Sequence, residues 1–400
     1  MAAPVSLPGP RIAIVVHSMN AGGSQRRVVS LANGFAARGH AVDLVALSGD
    51  GEAGRLVAPA VRQIVLGLGP LPLPRSLAGV GALKAYLGRE RPEVLMAGSN
   101  FSHVVAALAC AALARPPLLV LRAASHPLRQ LPWSRPDKRL REYLRRPIER
   151  WALRRADLVI AVSRESAAAI GHMVADPAKV VAIANPTITA DFRASLGARV
   201  EHRWFDDSQA GGEPVIVAVG RIAQSKDFET LVEALAILNR TTPAKLILLG
   251  EGKRRGVIEA LVARRGLTKR VQLMGHVEEV GGWLVRADLL VSSSLWEGSP
   301  GAIIEAFEAG LPVVATACPG GSVELIEGSS GGMLVPVRDA AAMAAAIATM
   351  VERSRDREAL RALAKPYQDE GRAEGKYLAA IEAALAKKKA APERVPPSLS

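Results

Sequence analysis

Twice along this chain the same alternation appears: a short β-rich apolar run, a glycine or polar turn, then a helical stretch. In the first round the β-rich runs fall at residues 11–17, 41–47, 61–66, 93–96, 117–122, 157–162 and 179–183. In the second they fall at 215–220, 245–249, 271–274, 288–291 and 311–315. Strands alternating with helices predict a parallel sheet covered on both faces. Between 186 and 213 the rhythm fails, and Asp206-Asp207-Ser208-Gln209-Ala210-Gly211-Gly212 reads as a connector. The expected fold class is α/β, with two doubly wound Rossmann-like domains facing an interdomain cleft, the usual place for a ligand. The expected boundaries are 1–190 for the first domain, 191–213 for a linker and 214–365 for the second domain. A terminal helix over 366–386 is expected to pack back on the first domain, with 387–400 a disordered tail. Four hundred residues, 49% of them hydrophobic, are enough to build both cores.

A net charge of +13 calls for an anionic partner. Lys138, Arg139, Arg141, Arg145, Arg146, Arg150, Arg154 and Arg155 crowd one segment, interleaved at helical spacing with Leu140, Leu144, Ile148, Trp151 and Leu153. That apolar face either joins the core or helps rest residues 128–155 on an anionic membrane surface, with Leu128, Leu131, Pro132 and Trp133 dipping into the interface. The glycine–aromatic motifs of an RNA-binding sheet are missing, which argues against nucleic acid. Two cysteines, Cys110 and Cys318, are too few for a disulfide framework or a cysteine metal site. The opening residues lack a signal-peptide pattern, and the most apolar run, 104–114, is too short to cross a bilayer. The expectation is a cytoplasmic protein, peripheral at the inner face of the cytoplasmic membrane.

The densest chemistry lies in W-E-G-S-P-G-A-I-I-E-A-F-E-A-G, residues 296–310. Glu297 stands at the mouth of a strand-to-helix turn, where it also suits the helix dipole. Glu305 sits on an apolar helix, where a carboxylate needs a partner. Two carboxylates at the carboxyl end of a sheet suit a ligand with several hydroxyls. Upstream, V-G-R-I-A-Q-S-K-D places Arg221 at a strand end and Lys226 five residues later, a planar fork and a mobile point charge for a diphosphate. Gly22 and Gly23 end the first strand and allow close approach of an anion to a helix start, or serve the turn alone. L-G-E-G-K-R-R-G at 249–256 has the wrong spacing for a dinucleotide fingerprint and reads as a packing turn. His126 follows a first-domain strand that ends at Arg122, and the two compete to line the cleft, although a lone loop histidine is more often bland than catalytic. No Asp-x-Asp pair occurs, so a divalent-metal site of that type has no candidate, and no cofactor is expected.

Taken together these residues resemble glycosyltransferase family 4, retaining enzymes of the GT-B fold. The resemblance is carried by V-G-R-x-x-x-x-K, L-L-G-E-G, V-x-L-x-G-H-V, S-x-x-E-G-S-P-x-x-x-x-E-A, C-P-G-G-S-V-E-L-I and G-G-M-L-V-P. In the first half it is carried by N-A-G-G-S-Q-R-R-V-V, R-G-H-A-V-D-L-V, A-D-L-V-I-A-V-S and Asn185-Pro186. It implies that Arg221 and Lys226 hold the donor diphosphate, Glu305 the ribose, and Glu297 the transferred sugar. Gly22 and Gly23 would lie against the donor phosphates or the acceptor. Backbone groups of His276 and Val277 would meet the nucleobase, with Glu324 nearby. His126 would be the first-domain catalytic histidine. The implied chemistry is metal-independent transfer from a nucleotide-sugar, in which cations stabilise the departing diphosphate and one of its oxygens takes the acceptor's proton. Gln25 stands where many relatives have glutamate, which removes an acidic acceptor contact. The C-P-G-G-S-V-E-L-I form resembles members that build bacterial surface polysaccharide on lipid-linked or lipopolysaccharide-type acceptors. A nucleotide-sugar epimerase of the same fold and a non-catalytic nucleotide-sugar-binding protein remain open as alternatives.

Overall fold

The structure is a computed structural model that describes residues 9–19, 23–49, 51–67, 75–99, 102–127, 136–368 and 372–390. Described residues up to 183, together with 372–390, form one compact unit, and 184–368 form a second. The first unit is built on strands β1 (Gly9–Val16), β2 (His40–Ala46), β3 (Val61–Val65), β4 (Val94–Ala97), β5 (Leu118–Ala123), β6 (Leu158–Ala161) and β7 (Val180–Ala182). They pair in the order β3-β2-β1-β4-β5-β6-β7, parallel throughout. The second unit has β8 (Val215–Val219), β9 (Lys245–Leu249), β10 (Val271–Gly275), β11 (Leu289–Ser292), β12 (Val313–Thr316) and β13 (Gly332–Val335). Their order is β10-β9-β8-β11-β12-β13, again parallel.

The near-continuous apolar strands follow from burial on both faces. On β1, Ile12, Ile14 and Val16 enter one core layer while Ala13 and Val15 enter the other. On β8, Ile216 and Ala218 face one layer, and Val215 and Val217 the opposite one. The 249–256 turn is a packing device: a Cβ on Gly250 would lie 2.0 Å from the Gly220 carbonyl oxygen, so the loops after β8 and β9 touch backbone to backbone.

Two expectations need correction. Residues 191–213 are not a linker: they hold all but the first residue of the helix Ala190–Ser195 and the whole of the helix Arg203–Gln209, and belong to the second unit, and the change of unit falls at 183–184. Periodicity misses these helices because they are short and held by caps and a few aromatic anchors. Thr189 Oγ1 accepts from Phe192 N at 3.1 Å, and Trp204 and Phe205 are buried in the second core. The last helix, Arg372–Ala390, also covers 387–390, the first four residues of the expected disordered tail; residues 391–400 lie outside the described residues. This helix buries Tyr377, Leu378 and Ile381 in the first unit's core, and Lys388 Nζ donates to Asp157 and to the Pro117 carbonyl, both at 2.8 Å.

Candidate functional site

In a doubly wound sheet the chain leaves neighbouring central strands in opposite directions, and the crevice at their carboxyl ends is where ligands bind. The second unit has that switch point between β8 and β11, since β8 leads to β9 on one side and β11 to β12 on the other. Lys226 ends the turn Gln224–Lys226 after β8, and Glu297 lies in the loop after β11. Their side chains meet: Lys226 Nζ donates to Glu297 Oε1 at 2.6 Å. The pair stays partly open, with the lysine side chain 23% and the glutamate side chain 11% exposed.

The surrounding chain holds this pair by its backbone. Leu295 N donates to the Ser225 carbonyl at 2.8 Å, and Glu297 N donates to the Pro319 carbonyl at 2.9 Å. Gly320, at φ +126°, lets the C-P-G-G turn press on the Glu297 backbone, where a Cβ would come within 2.3 Å of the carbonyl oxygen. Ser294 Oγ also donates to Glu297 Oε1, at 2.6 Å. Both contacts therefore fall on one carboxylate oxygen, and no described residue hydrogen-bonds to Oε2. An ammonium has three donors, and Lys226 Nζ gives only one to a described residue. Arg221, at the end of β8, is exposed and forms no ion pair with a described residue. The site thus offers unused donors toward an anion and an unused acceptor toward a hydroxyl. Cys318 is buried beside it, and burial pushes its thiol up to about 11, so it is no nucleophile near neutral pH.

Glu305 projects from the helix Gly301–Glu308, whose Ile303, Ile304, Ala306 and Phe307 are fully buried. Side chains on a helix lean toward its N-terminus. Accordingly, Glu305 Oε1 lies 4.0 Å from where a Cβ on Gly301 would stand, at the end of the helix nearest the strand termini. Glu308, one turn on, is accounted for structurally by Arg193 at 2.8 Å. His276 is exposed and Val277 half-buried directly after β10, at the edge of the same sheet. Glu324 lies in the first turn of the helix Ser322–Ile326.

The remaining described candidates belong to the first unit. Gly22 lies outside the described residues, and Gly23 opens the helix Gly23–Ala37. Arg122, on β5, is 1% exposed and donates to Tyr377 Oη and the Gly98 carbonyl, both at 3.2 Å, which ties the terminal helix to the sheet. His126 is 2% exposed, with Nε2 3.9 Å from Glu165 Oε1. Burial lowers its imidazole to about 4, so it is neutral at physiological pH. The basic segment forms the helix Pro136–Arg155. Of its apolar residues Leu153 enters the core, while Ile148 and Trp151 are exposed among Arg150, Arg154 and Arg155. Leu128, Leu131, Pro132 and Trp133 lie outside the described residues.

Sequence reasoning missed Ser293, Ser294 and Gly320. The signal was present in S-S-S-L-W-E, where a hydroxyl three residues before a carboxylate can bond to it across a turn.

Two parallel-sheet Rossmann-like units in one chain are the architecture of the GT-B class of glycosyltransferase folds. The comparisons carry this to a family. The model described as Glycosyltransferase Family 4 matches residues 21–190, and that described as Glycosyl transferases group 1 matches residues 213–353. The chain belongs to glycosyltransferase family 4. It is similar to the 2-deoxystreptamine glucosyltransferase of Streptomyces kanamyceticus, with 32% identity over 42% of this chain and 44% of that protein. It is also similar to a lipopolysaccharide core biosynthesis glycosyltransferase of Rhizobium meliloti, with 33% identity over 34% of this chain and 39% of that protein. The chain thus matches less than half the length of these curated relatives. Among solved structures, sucrose-phosphate synthase from Thermosynechococcus elongatus aligns over 95% of this chain and 98% of its own, at 24% identity and a TM-score of 0.70. Anabaena HepE, in complex with UDP and glucose, aligns over 96% and 100%, at 20% identity and a TM-score of 0.68. These likenesses show the fold.

Proposed function

We propose that this chain is a retaining glycosyltransferase that moves a sugar from a nucleotide-diphosphate sugar to a lipid-linked or lipopolysaccharide-type glycan in bacterial surface polysaccharide synthesis. The observation that carries the reading is the half-satisfied Lys226–Glu297 pair beside exposed Arg221 at the β8/β11 switch point. Arg221 and Lys226 neutralise the diphosphate as the glycosidic bond breaks, a stabilisation that is strongest where charge develops. Oε2 of Glu297 accepts from a sugar hydroxyl, and Glu305 takes the ribose. In this scheme the acceptor attacks from the face the diphosphate leaves, and a diphosphate oxygen takes its proton. Two basic side chains then do the work that a divalent cation does elsewhere, and no metal is invoked.

The acceptor class rests on the resemblance to a lipopolysaccharide core enzyme and on the basic helix Pro136–Arg155. Among the described residues no helix is long and apolar enough to cross a membrane. Exposed Ile148 and Trp151 among arginines instead suit an anionic membrane surface. The test is incubation with UDP-, GDP- and ADP-sugars, with and without EDTA, scoring hydrolysis and transfer to lipid-linked glycans. Transfer that survives EDTA, with the anomeric configuration kept, supports the reading. Failure to hydrolyse or transfer from any donor contradicts it. The membrane part fails separately if the protein does not sediment with anionic liposomes at low salt.

A further inference from the structure

We infer that the dipeptide Ser293-Ser294 is a positioning device that fixes the two halves of this site separately, one serine to each; the inference rests on the function proposed above. Ser293 Oγ donates to the main-chain carbonyl of Lys226 at 2.7 Å. Ser294 Oγ donates to Glu297 Oε1 at 2.6 Å, on the oxygen that also receives Lys226 Nζ. Both serines are 1% exposed, so neither meets a ligand directly. Thr316, fully buried on β12, donates through Oγ1 to the Ser294 carbonyl and ties the dipeptide to the neighbouring strand.

Buried hydroxyls are retained where they satisfy a partner, and here the partners are the Glu297 carboxylate itself and the main-chain carbonyl of Lys226, the residue whose ammonium has donors left for a ligand. Two donors converging on one oxygen pin the Glu297 carboxylate plane and leave Oε2 facing outward. Without Ser294 the carboxylate can rotate about its last bond, because Lys226 alone is a flexible, roughly isotropic partner. Lys226 would keep its place through Ser293. The dipeptide therefore assigns sugar recognition to Ser294 and diphosphate recognition to Ser293.

The assignment has a readout that a merely structural role would not move. Binding is measured by calorimetry for UDP with UDP-glucose, UDP with UDP-N-acetylglucosamine, GDP with GDP-mannose and ADP with ADP-glucose, using whichever pairs the unaltered protein binds. Ser294→Ala is expected to weaken the sugar nucleotide about tenfold relative to its own diphosphate, the scale of one charge-assisted hydrogen bond. Ser293→Ala is expected to weaken both members of the pair alike. If Ser294→Ala unfolds, Ser294→Cys fills the same space with a poor donor and carries the same expectation. An unchanged ratio in a folded Ser294 variant overturns this inference while leaving the proposed function standing. An unaltered protein that binds none of the pairs overturns the proposed function itself.

Discussion

Two clusters of charge, one in each unit, use the same residue types to opposite ends. In the first unit Asp43, on β2 and 4% exposed, receives Arg62 Nε at 2.8 Å, Arg62 Nη2 at 2.7 Å, Arg11 Nη2 at 3.1 Å and Tyr86 Oη at 2.5 Å. Glu90 takes further bonds from Arg11, Arg62 and Arg89. Both oxygens of Asp43 are used, and the hydrogen bonds from Arg62 and Tyr86 outweigh burial and hold its carboxyl below the usual carboxylate range. In the second unit Glu297 uses one oxygen, Lys226 one of three donors, and Arg221 none toward a described residue. Saturated charge fixes the fold; charge left half-used at a switch point is, in the function proposed above, held for a ligand.

The largest expected effect is on turnover. Lys226→Ala should lower kcat on the order of a hundredfold or more while leaving the melting temperature within a few degrees, read by donor hydrolysis and calorimetry. A protein that unfolds instead would place Lys226 with Asp43, among the structural charges. Asp43→Ala should do the reverse. It strands the buried Tyr86 hydroxyl and takes from Arg11 and Arg62 one of their two carboxylates, and should cost about 3 kcal/mol in urea denaturation, the low end for breaking a buried pair because both arginines reach solvent and keep Glu90. Nucleotide affinity of the folded fraction should not change.

His126 offers a third contrast, since it is buried with its imidazole lowered to about 4. The unfolded chain takes up this proton near pH 6.5, whereas the folded chain does so only near 4. Stability is therefore lost as pH falls from 6.5 toward 4, by roughly 2–3 kcal/mol, and His126→Phe should flatten that part of the profile. An unchanged slope would show that other groups govern the acid limb. The smallest effect is expected at Glu305. Glu305→Ala should weaken nucleotide binding about tenfold without loss of folding, the scale of a hydrogen bond to a charged group. Loss of folding would mark Glu305 as a structural carboxylate like Glu308.

Strands buried on both faces write themselves as apolar runs, so the two Rossmann-like units were legible from runs such as 94–97 and 215–219. The connector reading of 191–213 failed because Trp204 and Phe205 anchor a seven-residue helix that carries no period. At the site, residue types and spacing pointed to Arg221, Lys226, Glu297 and Glu305. What spacing could not convey is how many valences each has left. Asp43 and Glu297 are equally plausible carboxylates in a line of sequence, and only three-dimensional partners separate them. Arg122 illustrates the same limit: a strand-end arginine that suited a cleft is bonded to Tyr377, 255 residues away.

The most direct test of the central claim is a calorimetric titration of UDP, GDP and ADP into the unaltered protein, Lys226→Ala and Asp43→Ala under one buffer. The account predicts that one nucleotide binds the unaltered protein at a single site, that Lys226→Ala loses at least tenfold in affinity, and that folded Asp43→Ala binds as the unaltered protein does. Absence of binding by all three nucleotides, or equal affinity with and without the Lys226 ammonium, would contradict it.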